Sequence, residues 1–312
     1  MRMSKAFLAL LLVFSTLIPT AHAVDIPATF SFQGSGYGHG VGLSQMGARY
    51  MANAGQSAEQ IIKYFYKDVE IEPKDDSKIL RVNIGHLISS AKISSTLKGS
   101  QLQIIQGDAG SESVIPVFSL ADSISFSVIG STVSPRITNG KTSQVLPRSR
   151  VFTVRWSGTR YLEGPETVIS VNHTGVSQRL RYGQIQVKAV KTPMGYRIAM
   201  TNSVRLADEY LWGISEMPSF WPIAALEAQA IASRTYALSK VGVYRSACDC
   251  DLYGSISDQT FLGYAKEIER KFGVVWKDVV TRTAGLTITQ SGLPITAYFS
   301  SSSGGKTELS VN

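Results

Sequence analysis

The chain has 312 residues, 17% of them charged, and carries a formal net charge of +8. This length is enough for one large domain or two smaller ones. The positive charge predicts anionic surfaces as partners, such as a cell wall or lipid headgroups. We see no basic helix or arginine cluster, so we expect no nucleic-acid partner.

The first 23 residues have the pattern of a secretory signal peptide. Arg2 and Lys5 form a charged head, residues 6–18 are apolar, and Ala21-His22-Ala23 matches an A-x-A cleavage site. The apolar part is too short to span a membrane. We therefore predict an exported protein, extracellular or associated with the cell wall.

A glycine-striped stretch follows, with glycine at every second position from 34 to 42. In an extended chain these glycines share one face, on which another backbone or a flat ligand can approach closely. The alternative interpretation is a flexible linker. The next residues, 45–63, predict an amphipathic helix with a break at Gly55, which favours ordered structure.

Residues 77–202 have a β-like pattern. Alternating or β-branched segments predict strands at 79–84, 101–105, 151–156 and 184–187. We expect this region to serve mainly as scaffold.

Two helices around a kink are predicted in residues 205–241. The first ends near Glu216 because Pro218 disfavours helical geometry in the residue before it. Ser219 is a candidate cap for the second helix, from which Arg234 projects. A carboxylate at such a corner, beside tryptophan side chains, is a candidate for a raised pKa. The alternative is an ordinary solvated glutamate at a helix end.

The two cysteines, Cys248 and Cys250, are separated by a single residue. At that spacing we expect a bond between them to be strained. They remain candidates for metal ligands, for a bridge to another chain, or for inert thiols. Two ligands do not complete a zinc site. Further on, the pattern predicts a short helix at 264–272 and strands at 275–280, 285–289 and 295–299.

Several separate motifs together resemble one family, the stage II sporulation protein D family, which includes the amidase enhancers. They are E-Y-L-W-G (209–213), E-M-P (216–218), A-L-E-A-Q-A (225–230), R-T-Y-A-L (234–238), D-Q-x-F-x-G (258–263), S-G-G-x-T-E (303–308) and G-H-G-V-G-L-S-Q (38–45). The last of these normally follows the others, so its position here resembles a circular permutation, which requires chain ends that lie close together. The chain also stops soon after its last motif, so we expect a fragment truncated at its C-terminus.

Two further departures concern single residues. Phe261 stands where the family usually has tyrosine, and Glu227 replaces a usual lysine. We expect both differences to affect contacts with the substrate more than they affect the acidic residue Glu216.

The resemblance implies a lytic transglycosylase that acts on peptidoglycan glycan strands stripped of their peptides. It implies Glu216 as the catalytic acid. Some family members hold zinc near the position of Cys248 and Cys250 and others lack it, so the resemblance allows zinc without requiring a cofactor. The expected substrate-binding residues are Arg234, Gln259, His39, Ser44, Gln45 and Ser303.

From these observations we predict an α+β fold with a β-rich subdomain and a helical catalytic subdomain that carries a glycan-binding groove. The predicted boundaries are 1–23 for the signal peptide, 24–72 for the glycine-rich strand and helix, 73–203 for the β-rich subdomain and 204–312 for the catalytic core. The alternative function is a non-catalytic wall-binding enhancer of an amidase. A metallopeptidase is disfavoured because H-E-x-x-H does not occur, and a serine hydrolase because G-x-S-x-G does not occur.

Overall fold

In the computed structural model, the residues described are 29–308 except 32, 98–99, 109–114 and 120–121, and for 115–119 only the backbone is described. Met1–Ser35 and Gly36–Asn312 are two compact units, and the elements of the fold belong to the second. The predicted signal peptide lies outside the described residues. No helix among those described is both long enough and apolar enough to cross a membrane.

The described residues form five α-helices: α1 (Gln45–Asn53), α2 (Ala58–Phe65), α3 (Ile223–Leu238), α4 (Tyr264–Glu267) and α5 (Gly273–Arg282). Their strands are β1 (Leu43–Ser44), β2 (Glu70–Pro73), β3 (Ile79–Ile88), β4 (Ser90–Ser95), β5 (Leu102–Gln106), β6 (Ile115–Ser119), β7 (Ser123–Ile129), β8 (Thr132–Asn139), β9 (Thr142–Val145), β10 (Val151–Trp156), β11 (Ile169–His173), β12 (Val176–Leu180), β13 (Gln184–Thr192), β14 (Gly195–Arg205), β15 (Leu252–Tyr253), β16 (Leu286–Gln290), β17 (Leu293–Pro294) and β18 (Phe299–Ser300).

Two large sheets dominate the fold. The first has the order β15-β3-β14-β13-β10-β5-β6, and the second has the order β12-β11-β4-β7-β8-β9. Strand β14 contacts β7 and β13 contacts β8, so the sheets pack on each other. Alternation along the strands supplies the core between them, because every second side chain points inward. Buried Ile93, Phe126, Val154 and Met200 come from both sheets.

The mixed α+β class is confirmed, with more strand than helix, and each of the strands predicted at 79–84, 101–105, 151–156 and 184–187 is present. The seven-stranded sheet extends across the predicted boundary at residue 203, since β15, which lies after that boundary, pairs in parallel with β3. The break predicted at Gly55 is also confirmed: the residue has φ +83° and separates α1 from α2.

Helix α3 lies at the centre of the remaining elements, and α1, α2, α5 and β16 all pack against it. Most of its side chains are buried, and many of them are alanine. A helix that is apolar around its whole circumference is expected to be enclosed on all sides.

The glycine-striped stretch pairs with the C-terminal serine run. Strand β1 is parallel to β18, Tyr37 bridges Ser302, and Val41 bridges Glu308. At Gly42, with φ +69°, an added Cβ would stand 2.0 Å from the carbonyl oxygen of Tyr298. The glycine face, which has no side chains, is therefore in close contact with another backbone segment of the same chain. This contact also brings the motif at 38–45 beside the motif at 303–308, as the predicted permutation requires.

The segment before α3 differs from its prediction. The helix expected to run to Glu216 is a π-helical turn, Leu206–Tyr210, followed by a 3-10 turn, Leu211–Gly213. It ends early because Ile214 forms a β-bridge with Phe261. Ser219 does not cap α3, since its hydroxyl donates to Glu269 instead.

The strand predicted at 275–280 is also wrong, since these residues lie in α5. Buried Trp276, Val279 and Val280 follow helical spacing on one side of it. Their β-branched neighbours favour strand locally, but packing of this helical face overrides the local preference.

Candidate functional site

A cavity of about 220 Å³ opens where the glycine-striped stretch, the corner before α3 and the serine run meet. Its lining includes His39, Gln45, Glu216, Tyr236, Thr260 and Tyr298. These residues come from five separate parts of the sequence, so only the tertiary fold assembles the cavity.

Glu216 lies at a bend of the backbone, next to the segment that carries Thr260. The amide of Ser215 donates to the carbonyl of Thr260 at 2.9 Å. In return, the amide of Thr260 donates to Oε1 of Glu216. Side chains of Thr260 and Gln45 also hydrogen-bond the carboxyl group. This two-way pairing fixes the direction in which the carboxyl group points.

The pKa of Glu216 is raised above its ordinary value, chiefly because burial disfavours the charged form. Hydrogen bonds from Thr260 and Gln45, and the positive charge of Lys266, act in the opposite direction. Burial prevails, so the carboxyl group keeps its proton to a higher pH than a solvated glutamate. This is the property expected of a general acid.

Gln45 is held by a buried chain of polar groups on α3. Its Nε2 donates to Oε1 of Gln229 at 3.2 Å, and Nε2 of Gln229 donates to the hydroxyl of Ser233 at 3.0 Å. Because these amides are enclosed and partnered, the orientation of Gln45 toward Glu216 is restricted.

A buried cation lies close to Glu216. Nζ of Lys266 donates to the carbonyl of Met217 at 2.7 Å and to Glu269 at 2.6 Å. Burial lowers the pKa of Lys266, while the carboxylates of Glu269 and Glu216 oppose that shift. The charge favours the carboxylate form of Glu216 once a proton has left it.

A second carboxylate, Asp258, also lines the cavity but is fully engaged. It accepts hydrogen bonds from the hydroxyl of Tyr236 at 2.6 Å, from Nη1 of Arg245 at 2.6 Å and from the amide of Tyr253 at 2.8 Å. Its side chain is 2% exposed. Asp258 therefore positions Tyr236 and is not available to activate a water or attack a sugar.

Three of the predicted site residues, Glu216, His39 and Gln45, meet in the cavity. Nδ1 of His39 accepts the amide of Val41 at 3.1 Å, and its ring is exposed beside Tyr298.

Ser44 and Ser303 lie elsewhere. Ser44 caps α1 by accepting the amide of Gly47, and Ser303 accepts the amide of Gly305. Neither serine lines the cavity; Ser257 and Ser300 do.

Arg234 and Gln259 are not groove residues in this structure. The side chain of Arg234 is fully buried and pairs with Asp76 at 2.8 Å. Gln259 is buried too, accepting from the hydroxyl of Tyr210 at 2.7 Å. We correct both assignments, because each side chain has its polar atoms committed inside the protein.

Sequence reasoning named the right segments but missed Tyr236, Asp258 and Thr260. Asp258 and Thr260 flank Gln259, and alternate residues of an extended segment point to opposite sides. Tyr236 lies two positions after Arg234 on α3, which places it on the far side of the helix. Asp258 and Tyr236 belong to the quoted motifs. Alternation along the extended segment was the signal for Asp258, and helical periodicity was the signal for Tyr236.

The sulphurs of Cys248 and Cys250 form a disulfide with each other. Although the sequence spacing predicts a strained bond, the Cα atoms are 5.2 Å apart, within the usual range for a disulfide. Bonded to each other, the two sulphurs are not the free thiolates that the metal-ligand interpretation needs. Among the described residues, no group of three or more metal-ligating side chains forms.

Comparison with known proteins places the similarity in the second half of the chain. Residues 196–290 match the family model described as stage II sporulation protein, SpoIID. Over 47 residues the chain is 47% identical to stage II sporulation protein D of Bacillus amyloliquefaciens, which covers 15% of this chain and 14% of that protein. It is 33% identical over 96 residues to the amidase enhancer of Bacillus subtilis (strain 168), covering 31% of this chain and 12% of that protein. The alignments thus span a small part of these relatives, and no solved structure matches.

Proposed function

Because residues 196–290 match the family model described as stage II sporulation protein, and because relatives of this chain are named stage II sporulation protein D and amidase enhancer, we propose that this chain processes bacterial cell wall as a lytic transglycosylase. In this proposal it cleaves peptidoglycan glycan strands between N-acetylmuramic acid and N-acetylglucosamine, with Glu216 as its acid and base. The observation that carries the proposal is the raised pKa of Glu216 inside a cavity whose described lining residues include no second free carboxylate.

The number of free carboxylates decides between two kinds of glycan cleavage. Most glycoside hydrolases use two carboxyl groups, one to protonate the leaving oxygen and one to activate water or attack the sugar. In this cavity the second carboxylate, Asp258, is held by Arg245 and Tyr236. A reaction that needs a single acid and base therefore fits the site better than hydrolysis does.

The proposed reaction balances on Glu216 alone. Its carboxylic acid donates a proton to the glycosidic oxygen as the bond from that oxygen to C1 of the muramic acid breaks. The C6 hydroxyl of the same sugar then attacks C1, and its proton passes to the carboxylate of Glu216. The products are a 1,6-anhydro end and a new sugar hydroxyl, and Glu216 is protonated again.

The surroundings of Glu216 support each half of this cycle. Burial raises the pKa of the acid, which favours its protonated form before the first transfer. The amide of Thr260 and the charge of Lys266 stabilise the carboxylate between the two transfers. Ser300 lines the cavity, and its buried hydroxyl has no hydrogen-bond partner among the described residues, so we assign it to a sugar hydroxyl.

The test is Glu216→Gln on purified glycan strands stripped of peptides. We expect release of 1,6-anhydromuramic ends to fall about 10²- to 10⁴-fold, the usual contribution of a general acid or base. Glu59→Gln is the matched control, since Glu59 pairs with Lys63 on α2, outside the cavity, and should leave the rate unchanged. A wild-type rate in Glu216→Gln refutes the assignment.

No step of this cycle uses a group from outside the chain, so we propose that no cofactor is required. Activity should survive dialysis against a chelator. Zinc bound to the reduced cysteine pair remains the alternative, and loss of activity on chelation would favour it.

The second candidate function is a non-catalytic enhancer of a cell-wall amidase, and the relative named amidase enhancer favours it. In that case the protein binds insoluble peptidoglycan without releasing soluble fragments, and Glu216→Gln stimulates the amidase as well as wild type does. Both functions place the protein at the cell wall, so we propose that it is exported. Fractionation of cells that express the full chain tests that location.

A further inference from the structure

The outer face of the six-stranded sheet carries a second cavity, of about 910 Å³. Lys92 lies directly opposite Ser125 on the neighbouring strand, and Ser125 lies directly opposite Arg136 on the next. Asn172 lies opposite Lys92 on its other side. Residues in direct register share a face, so these four side chains form one polar row across β11, β4, β7 and β8.

A second row, formed by Ser90, Ser127 and Ser134, runs beside the first and lines the same cavity. The opposite face of these strands is apolar and buried against the other sheet, as the exposures of Ile93 and Ile124 show. The polar rows are therefore the solvent side of the sheet, and they offer hydroxyl and amide groups in a regular array.

The charge of this face is uniformly positive. Lys92 and Arg136 are exposed, and among the described residues neither has an ion-pair partner. No carboxylate is among the described residues that line the cavity. Two unpaired cations on a surface without acids favour a ligand that carries negative charge.

We call this face, formed by Asn172, Lys92, Ser125, Arg136 and the row beside them, the serine face. We propose that the serine face binds a peptide-stripped glycan strand through the carboxylates of that strand. Lys92 and Arg136 are two strands apart, which corresponds to about 10 Å. That separation is close to the length of one disaccharide along an extended strand. A strand whose peptides have been removed exposes one lactyl carboxylate per disaccharide, so consecutive carboxylates meet consecutive cations while the serines and Asn172 contact sugar hydroxyls.

The choice of glycan rests on the proposed function, whereas the binding site itself lies outside residues 196–290 and away from Glu216. On this inference the sheet subdomain contributes affinity for the substrate. The strand is held at the serine face while another part of it enters the cavity at Glu216. A neutral glycan should gain much less from this face than a carboxylate-bearing one.

The experiment measures binding of soluble, peptide-stripped glycan strands by proteins that all carry Glu216→Gln, so that the strands stay intact. The test protein adds Lys92→Gln and Arg136→Gln. The matched control adds Lys191→Gln and Arg150→Gln, which remove the same charge from exposed positions outside the serine face. We expect the test protein to bind about three- to tenfold more weakly than the control, as the loss of two exposed ion pairs predicts. The difference should vanish with strands whose carboxylates have been amidated, and should shrink at high salt.

Equal affinity of the test and control proteins overturns the inference. So does a loss confined to poly(glycerol phosphate) with unchanged binding of the glycan, because the serine face would then be a phosphate-polymer site. The proposed function can fail separately: if a protein with Glu216 intact releases no anhydro ends but binding still depends on Lys92 and Arg136, only the catalytic assignment is lost.

Discussion

Replacement of Arg234 by alanine separates a structural role from a role in the groove. Its guanidinium is fully buried and pairs with Asp76, which is 13% exposed. It also donates to the carbonyls of Val280 at 3.1 Å and Leu286 at 3.3 Å. Arg234→Ala therefore removes the charged donor from one carboxylate and two carbonyls, and opens a void between α3 and α5.

The expected cost follows from the burial of the pair. Removing one partner of a buried ion pair costs about 3–5 kcal/mol. Asp76 retains some contact with water, so we expect the lower end, about 3 kcal/mol of unfolding free energy. For a chain of 312 residues that corresponds to a fall in Tm of roughly 5 °C. Arg234→Lys should recover part of the loss, since it restores the charge but not the planar set of donors.

Chemical denaturation of both variants measures these changes. Arg148→Ala serves as the control, because Arg148 is exposed and should change the unfolding free energy by no more than about 0.5 kcal/mol. The structural role is refuted if Arg234→Ala unfolds at the wild-type denaturant concentration and yet loses glycan binding.

Three further predictions concern pH, the second carboxylate and the cysteines. Burial raises the pKa of Glu216, so the folded chain holds a proton that the unfolded chain loses above about pH 4.3. The unfolding free energy should therefore fall as pH rises from the pKa of Glu216 in the unfolded chain to its raised pKa in the folded chain. In denaturant titrations, the stability advantage of Glu216→Gln over wild type should grow from pH 4 to pH 7. A constant difference would contradict the burial argument. Tyr236→Phe removes a hydrogen bond to the charged Asp258 and should cost about 1.5–3 kcal/mol in the same titrations, with no cost if the bond is absent in solution. The oxidised, denatured chain should show no thiol to a colorimetric reagent and two after reduction, because Cys248 and Cys250 are bonded to each other; two thiols before reduction would restore the metal-ligand interpretation.

The strands show what alternation in the sequence can establish. Segments such as 151–156 and 184–187 alternate apolar and polar side chains, and this local pattern is sufficient because a strand buries every second residue. The serine face was overlooked for a related reason. Alternation indicates that Lys92, Ser125 and Arg136 face solvent, but only the register of β4, β7 and β8 places them in one row.

The fold of residues 205–216 shows where local reasoning is insufficient. Helical spacing of Leu206, Tyr210 and Ile214 predicted a helix that ends at Glu216, yet the helical turns stop at Gly213. The β-bridge from Ile214 to Phe261 ends them, and its partner is remote in sequence. This pairing also buries Glu216 beside Thr260.

The sequence by itself determined the strand-rich scaffold, the motif around Glu216 and the segments that carry His39 and Gln45, because these depend on local pattern or on a quoted motif. Only the tertiary structure decided that Arg234 and Gln259 point away from the cavity, that Asp258 is held by Arg245, and that the two cysteines bond to each other. The physical reason is that burial, side-chain direction and ion pairing depend on neighbours that come from distant parts of the chain. The raised pKa of Glu216, on which the proposed function depends, is a property of that assembly.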